Sequence, residues 1–352
     1  MAYTHKAEKN AKIKEKNLEM LEFLPDFCTG YLISIERSLS PLTVNAYLQR
    51  ITKFLEYLHD NNSYFGNKEI IEYKVEDLGN LVTEDINAFA HYIYNNNGNN
   101  KYKSNAETTV DNYLSALSSL WEYFLSMRWV KYNPVSSVKR SRKKEKEIIK
   151  MDAREKKEFL DSLYNDKGFS DEKQIKWNER TKIRDIAICK TLLGTGIRVS
   201  ELVGMDVDDL DFQENCFKVL RKRDKYDVVY FDDEVKACLN DYLDERKALY
   251  QPADDENALF LVGIGKYKGT RISERQIERI VKKYAKASVP LKADKLSPHK
   301  LRSTYATDFL DATGDLDATR EQLGHSDPKT TLKYAKTSER RKKMYRNILL
   351  KK

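Results

Sequence analysis

The sequence predicts a mainly α-helical protein of two domains, the second of which contains a small β-sheet. Apolar residues recur at helical spacing through most of the chain. A basic stretch without apolar periodicity interrupts this pattern at residues 136–150, and two short alternating segments flank a charged turn at residues 221–225. We therefore expect a first domain at residues 1–135, a linker at 136–150 and a second domain at 151–352.

Composition narrows the class of protein. The chain has 352 residues, of which 40% are hydrophobic, and a net charge of +8, which favours a polyanionic partner. It has no apolar run long enough to span a membrane, and its polar N-terminus lacks the apolar segment of a signal peptide. We therefore expect a cytoplasmic protein without a membrane partner. The four cysteines are scattered without a C-x-x-C pair, so neither a disulfide framework nor a zinc site is indicated.

The first half of the chain predicts an all-α domain of four or five short helices. Helices are expected at residues 9–37, 40–58, 83–93 and 105–127. Pro25 places a kink or break in the first of them, and Ser40 followed by Pro41 is typical of a helix start. Residues 61–81 are expected to be polar and irregular, and the asparagine-rich residues 95–100 to form a loop.

The linker at residues 136–150 carries a dense run of cations. A run of this kind is either a solvated tether or a phosphate-binding segment. Because it joins two folded parts, we favour contact with the phosphates of a DNA duplex, which supply affinity without sequence preference. The predicted DNA-binding residues are Lys139, Arg140, Arg142, Lys143 and Lys144 in this run, and Lys225 in the charged turn.

The second half predicts helices around a small sheet. The expected helices cover residues 152–164, 181–193, 233–249 and 273–287. Residues 216–220 and 227–231 alternate like the two strands of a hairpin, and 258–262 is a possible further strand. A polar insert is expected at 165–179.

One turn in this half is suited to binding a phosphate. In the sequence GTGIRVSEL, two glycines close one helix and allow a tight turn, and Arg198 begins the next helix. A guanidinium in that position can bind a phosphate in a bidentate manner.

Residues 296–335 concentrate the remaining candidates. His299 and Arg302 are three residues apart on a predicted helix, so both side chains project to one face. Gly324 ends the helical pattern, and Tyr334 follows on a short amphipathic segment at 329–335. A tyrosine beside such donors suggests a phenolic nucleophile at a phosphodiester. Taken singly, each residue is more often part of a solvated helix face or an apolar core.

Together these residues resemble the signature of the tyrosine recombinase (phage integrase-like) family. The matching elements are Arg198 in GTGIRVSEL, Lys222 in the hairpin turn, His299 and Arg302 in SPHKLR, His325 in LGHSD and Tyr334 in TLKYA. They lie in residues 150–335, in the order and spacing of the family. The helical first half also resembles the SAM-like core-binding domain of that family.

The resemblance implies a fold and an assembly. It implies a helical core-binding domain and a mixed α/β catalytic domain that form a C-shaped clamp on double-stranded DNA. It also implies a homotetramer that joins two core sites with short inverted repeats and exchanges strands through a Holliday junction. By the same resemblance, the tail after Tyr334 docks on a neighbouring protomer.

The resemblance also implies a role for each residue. Tyr334 is the expected nucleophile and forms a 3′-phosphotyrosyl link, so no ATP is needed. Arg198 and Arg302 are expected to bind the nonbridging oxygens. His299 is the better candidate to take the tyrosyl proton.

His325 is expected to be a further donor, and Lys222 the general acid for the leaving oxygen. Lys225 lies on the same turn as Lys222, and the family's usual glycine before that lysine is Arg221 here. Neither a metal nor another cofactor is expected.

Among subtypes, the chain most resembles Xer-type recombinases, which resolve chromosome or plasmid dimers, with a possible cell-division or element-encoded accessory factor. A mobile-element integrase with the same chemistry is the alternative. A type IB topoisomerase and a non-catalytic DNA-binding protein are the other hypotheses.

Overall fold

A computed structural model describes residues 2–96, 107–141, 148–165, 172–221, 224–254, 256–324 and 331–334. The chain divides into two compact units, one formed by residues 7–145 and the other by residues 1–6 and 146–352. Within the described ranges, no helix is both long enough and apolar enough to cross a membrane. The domain limits given above, at residues 135 and 151, stay a prediction.

The described part of the first unit is helical, as predicted. Its helices are α1 (Ala2–Leu21), α2 (Phe27–Ile35), α3 (Pro41–Asn61), α4 (Val75–Gly79), α5 (Thr83–Asn95) and α6 (Glu107–Ser126). The predicted break at Pro25 is confirmed, because α1 ends before it and α2 begins after it. Ser40 caps α3 by accepting the backbone N–H of Thr43 at 3.2 Å, a bond that satisfies a donor at the helix start.

The prediction for residues 61–81 is wrong in part. This segment contains α4 and two 3-10 turns, and it buries Phe65, Tyr73 and Leu78. Its apolar residues are spaced irregularly, so no helical stripe is visible in the sequence. Asp77 nevertheless caps α4 by accepting the backbone N–H of Lys74 at 2.9 Å.

Aromatic side chains form the centre of the first unit. Phe54 of α3 meets Phe89 of α5 and Trp121 of α6 edge to face, with ring centroids 4.9 and 5.8 Å apart. All three rings are buried. This arrangement adds favourable quadrupole geometry to the burial of large apolar surfaces.

Residues 136–141 of the predicted linker pack on the first unit. Val138 is buried in its core. Arg140 donates to Ser115 Oγ of α6 at 2.8 Å, and Ser141 Oγ donates to Asp111 of the same helix at 2.6 Å.

The described part of the second unit is mainly helical with a small sheet, as predicted. Its helices are α7 (Ala153–Tyr164), α8 (Glu172–Glu179), α9 (Lys182–Thr195), α10 (Val199–Gly204), α11 (Asp233–Glu245), α12 (Glu274–Ser288), α13 (Pro298–Thr313) and α14 (Leu316–Leu323). Residues 331–334 are also helical. Helix α8 lies within the predicted polar insert at residues 165–179. The sequence did not predict this helix because its amphipathic pattern is weak. The helix predicted at 233–249 ends its α-helical part at Glu245 and continues as a π turn, Arg246–Tyr250.

The sheet has three antiparallel strands in the order β1 (Leu210–Asp211), β2 (Cys216–Leu220) and β3 (Tyr226–Tyr230). The hairpin prediction is confirmed, with β3 one residue earlier than expected because Leu220 pairs with Tyr226. Phe217, Val219 and Val229 turn inward and are buried.

The possible strand at residues 258–262 is not found. Only two isolated bridges occur there, Asp206 with Ala258 and Leu261 with Arg271. The segment is apolar because it is buried in the core of the second unit, and burial produces the same apolar run as a strand does.

Candidate active site

Arg198 lies in the turn between α9 and α10. Helix α9 ends at Gly196, which has φ +64°, and the ring of Tyr305 packs so close that a Cβ at position 196 would collide with it. Glycine is therefore required there both by the backbone and by the packing. The turn places Arg198 at the N-cap of α10, where its guanidinium is partly exposed.

Glu201 fixes the orientation of Arg198. Its Oε1 accepts from Nη1 of Arg198 at 2.6 Å, and its Oε2 accepts the backbone N–H of Arg198 at 2.8 Å. Burial raises the pKa of the Glu201 carboxyl, but the charges of Arg221 and Arg198 outweigh burial and hold the pKa below its ordinary value. The carboxylate therefore stays ionised inside the second unit.

Arg302 lies on α13, one turn after His299, and is only 2% exposed. Its Nη1 donates to the carbonyl of Gly196 at 2.6 Å, and its Nη2 donates to the carbonyl of Leu323 at 2.5 Å. Burial, followed by the positive charge of Arg198, lowers the pKa of Arg302 to about 10. The guanidinium is therefore charged at neutral pH in surroundings with an excess of positive charge.

Three guanidiniums meet at the C-terminal end of α14. Arg198 donates to the carbonyl of Gly324 at 3.2 Å, Arg302 to that of Leu323, and Arg221 to that of Gln322 at 3.1 Å. The C-terminal carbonyls of a helix have no intrahelical partners and carry partial negative charge. The helix end therefore attracts the three cations to one place.

His299 is on the first turn of α13 and is exposed at the surface. Protein atoms surround part of the ring, and this partial loss of hydration lowers the pKa of His299. The positive charges of Lys300, Arg302 and Arg198 lower it further. The imidazole is therefore neutral at neutral pH and able to accept a proton.

Tyr334 packs against the helices that carry the other candidates. Its ring is 4% exposed and belongs to a small core cluster with Ala306, Leu310 and Leu323. Its phenol is close enough to Arg302 to contribute to the electrostatic environment of that guanidinium. Four of the predicted residues, Arg198, His299, Arg302 and Tyr334, are thus brought into one region of the second unit.

Some of the remaining predicted residues lie outside the described part of the chain, and the others are exposed. Lys222, His325, Arg142, Lys143 and Lys144 lie outside the described residues. Lys139, Arg140 and Lys225 are exposed, and Arg140 is engaged with Ser115.

Sequence reasoning missed the contributions of Glu201 and Arg221. Glu201 had a local signal, because a Glu three residues after an N-cap is typical of a capping box. Arg221 had a weaker one, a cation at the position where the resemblance leads one to expect glycine.

Comparison with known proteins identifies the family of the chain. Residues 170–341 match the Phage integrase family, and residues 30–127 match its Phage integrase, N-terminal SAM-like domain. The chain is 31% identical to tyrosine recombinase XerS of Streptococcus agalactiae over 347 residues, which cover 92% of this chain and 95% of the relative. It is 37% identical to tyrosine recombinase XerC of Thermodesulfovibrio yellowstonii over 238 residues, covering 66% and 72% of the two chains.

A solved structure shares the fold. XerH site-specific recombinase, crystallised with a palindromic difH substrate as a post-cleavage complex, aligns with a TM-score of 0.62 and 20% identity, covering 89% of this chain and 81% of that one. With the similarity to XerS over nearly the full length, these findings establish that the chain belongs to the tyrosine recombinase (phage integrase) family of site-specific recombinases.

Proposed function

We propose that this recombinase cleaves and rejoins duplex DNA with Tyr334 as its nucleophile. The observation that carries the proposal is the meeting of Arg198 and Arg302, from two different helices, at one helix end beside Tyr334. Two guanidiniums held in this way provide planar donors for the nonbridging oxygens of a phosphodiester.

The reaction then proceeds by transesterification. The Tyr334 phenolic oxygen bonds to the scissile phosphorus while the bond to the 5′ oxygen breaks, leaving a 3′-phosphotyrosyl link and a free 5′ hydroxyl. Because one ester replaces another, the link stores the energy for rejoining. Arg198 and Arg302 stabilise the charge of the pentacoordinate transition state.

Proton transfers complete each step. His299, neutral because its pKa is lowered, takes the proton of Tyr334. Lys222 gives a proton to the departing 5′ oxygen, and His325 donates to a phosphate oxygen. Lys225, which is exposed and lies three residues after Lys222 in the sequence, is the competing general acid.

At the level of the assembly, we propose a C-shaped clamp that works as a homotetramer on two core sites with short inverted repeats. Lys139, Arg140, Arg142, Lys143 and Lys144 contact the duplex backbone. The tail after Tyr334 docks on the neighbouring protomer.

The biological role that we propose is Xer-like resolution of chromosome or plasmid dimers in the cytoplasm, with a cell-division or element-encoded accessory factor. The extent of the similarity to XerS supports it, and the palindromic substrate of XerH supports a short palindromic site.

An adduct assay tests this function. The purified full-length chain is incubated without added metal with nicked duplex fragments that tile the terminus region of its own replicon. We expect a covalent protein–DNA adduct within a short inverted repeat on a denaturing gel, with peptide mapping to Tyr334. Tyr334→Phe is expected to abolish the adduct while leaving non-covalent site binding nearly unchanged.

Other outcomes would redirect the assignment. An undiminished adduct with Tyr334→Phe would contradict the choice of nucleophile. Relaxation of supercoiled plasmid without sequence preference would indicate a type IB topoisomerase, and a purely non-covalent shift would indicate a DNA-binding protein.

A further inference from the structure

Arg221 follows β2 directly and closes the hairpin turn, because its backbone N–H donates to the carbonyl of Lys225 at 2.8 Å. Its side chain turns inward and is only 7% exposed. A cation in a hairpin turn ordinarily remains in water, because burying a charge without partners is costly. The burial of Arg221 therefore requires specific partners.

Those partners belong to three different elements. Nε of Arg221 donates to Asp227 Oδ2 on β3 at 3.0 Å, and Nη1 donates to Glu201 Oε2 on α10 at 3.0 Å. The guanidinium also donates to the last carbonyls of α14, to Gln322 at 3.1 Å and to Leu323 at 3.3 Å. One side chain thus joins the hairpin, α10 and α14.

Gly324 packs directly against the guanidinium of Arg221. A Cβ at position 324 would lie 2.7 Å from Nε and 2.8 Å from Cζ of Arg221, a separation that side chains do not tolerate. The residue also has φ +58°, which ends α14 in the left-handed region. The helix end and Arg221 therefore lie in direct contact, without room for another side chain.

Arg221 shares its acceptors with the two candidate phosphate ligands. Glu201 also accepts from Arg198 at 2.6 Å and lies 4.0 Å from Arg302, and the carbonyl of Leu323 accepts from both Arg221 and Arg302. If Arg221 were absent, Glu201 Oε2 and the carbonyl of Leu323 would each lose one of their two donors, and the carbonyl of Gln322 would lose its bond from Arg221. The nearest donors that could replace Arg221 are the N–H groups of Arg198 and Arg302. We expect them to turn towards these acceptors, because an unsatisfied buried acceptor is costly.

We propose that Arg221 is a positioning residue that occupies Glu201 and the end of α14, so that Arg198 and Arg302 keep N–H groups available for the scissile phosphate. The inference rests on the proposed function of those two arginines. Arg221 itself does not touch the phosphate; it acts by occupying acceptors that would otherwise compete for Arg198 and Arg302.

The balance of charge gives the inference a specific signature. Arg198, Arg221 and Arg302 face two carboxylates, the buried one of Glu201 and the partly exposed one of Asp227, which leaves one positive charge in excess. Neutralising Arg221 removes this excess, and neutralising Glu201 as well restores it. A loss caused by Arg221→Gln should therefore be partly reversed by adding Glu201→Gln, because the amide oxygen of the glutamine can still accept from Arg198 and keep it oriented.

The test measures single-turnover adduct formation on the nicked duplex mapped by the adduct assay, together with the melting temperature of each variant. We expect Arg221→Gln to slow adduct formation about 10- to 100-fold, the range of coupling within one ion-pair network. We expect the double variant Glu201→Gln/Arg221→Gln to be at least about fivefold faster than Arg221→Gln. If the second substitution slows the reaction further or changes nothing, the proposal is overturned.

A matched control separates positioning from folding. Arg271 also binds a carboxylate and helix-end carbonyls, donating to Asp206 and to the carbonyls of Val203 and Met205, but it has no bond to Glu201 or α14. Arg271→Gln should lower the melting temperature without changing the rate per folded molecule, and an equal loss of rate in both variants would refute a special role for Arg221.

Should Arg221→Gln not fold, Arg221→Lys replaces it. Lysine retains the charge but reaches fewer of the four acceptors, so we expect a loss of about three- to tenfold; a rate equal to that of wild type would overturn the proposal. If the wild-type chain forms no adduct, it is the proposed function that fails. A wild-type adduct with an unaffected Arg221→Gln rate refutes only the inference about Arg221.

Discussion

Two buried arginines of the second unit, Arg184 and Arg302, show how differently one side chain can be used. Both are almost completely buried, at 7% and 2% exposure. Arg184 donates twice to Asp185, from Nε at 3.1 Å and from Nη2 at 2.7 Å, and once to the carbonyl of Leu261 at 2.9 Å. Among the described residues, Arg302 donates to two carbonyls, and its ion pair with the carboxylate of Glu201 is long, at 4.0 Å.

The pKa values of the two guanidiniums move in opposite directions. Burial lowers the pKa of Arg184, but the adjacent charge of Asp185 outweighs burial and raises it. Burial also lowers the pKa of Arg302, and there Arg198 lowers it further, to about 10. The first arginine is compensated inside the protein, whereas the second is held where an additional anion is favourable.

If Arg302 binds the scissile phosphate as proposed, this difference separates a structural arginine from a phosphate-binding one. A compensated buried ion pair is costly to break but offers nothing to a ligand. A buried cation at the end of a helix whose charge is only weakly compensated gains stabilisation when a phosphate arrives. The comparison therefore predicts which substitutions damage catalysis and which damage folding.

The largest expected effect is that of Arg198→Ala. Removing this guanidinium takes away a donor to the transition state, so we expect the rate of adduct formation to fall about 10³-fold, or roughly 4 kcal/mol. Because Arg198 is partly exposed, the melting temperature should change little. A single-turnover assay and a thermal melt check this; an unchanged rate would mean that Arg198 does not bind the phosphate.

Asp185→Asn should have the opposite consequence. The substitution leaves Arg184 without its carboxylate, and breaking such a pair costs about 3 kcal/mol or more. At about 2–4 °C per kcal/mol, the melting temperature of the second unit should fall by roughly 10 °C, while the rate per folded molecule stays within about twofold. A large loss of rate without loss of stability would place Asp185 in the catalytic machinery instead.

The lowered pKa of His299 predicts how the rate of adduct formation depends on pH. A base must be neutral to accept a proton, and the pKa of His299 is lowered from its ordinary value of 6.5. The rate should therefore be level at neutral pH and fall about tenfold per pH unit only once the pH drops below that lowered pKa.

His299→Gln should be about 10²-fold slower and should lose this acidic limb. A pH–rate profile of both proteins measures it. An acidic limb retained by His299→Gln would assign the titration to another group.

The smallest expected effect is stabilisation by an inorganic anion. Sulfate should bind at the end of α14, and a ligand at ten times its Kd stabilises the folded state by about 1.4 kcal/mol, or about 3–6 °C. The shift should disappear in Arg302→Met and persist in Asp185→Asn, as measured by thermal melts over a sulfate series. An equal shift in all three proteins would indicate a general salt effect.

Local signals in the sequence predicted much of the fold. The start of α3 at Ser40 and Pro41, the break at Pro25 and the hairpin depend on neighbouring residues, so they could be predicted directly. Helices α4 and α8 could not, because tertiary contacts stabilise them rather than a regular apolar stripe. The apolar run at residues 258–262 has the sequence pattern of a strand because it is buried, although it forms only isolated bridges.

The residues of the candidate site could be predicted only by a different route. Arg198 and Arg302 are far apart in sequence, so no spacing argument brings them together, and the family resemblance supplied that connection. Neither the spacing of residues in the sequence nor the family resemblance indicated which groups accept hydrogen bonds from these arginines. The end of α14, the carboxylate of Glu201 and the inward turn of Arg221 depend on the folded backbone.

The most direct test of the comparison is a matched pair of substitutions, Arg302→Met and Arg184→Met, each measured for single-turnover adduct formation and for melting temperature. We expect Arg302→Met to lower the rate by about 10³-fold with little change in stability, because removal of a weakly compensated buried charge offsets the lost hydrogen bonds. Arg184→Met should lower the melting temperature by roughly 10 °C with a rate near that of wild type. If Arg302→Met instead loses only stability and keeps its rate, the end of α14 is not the phosphate site.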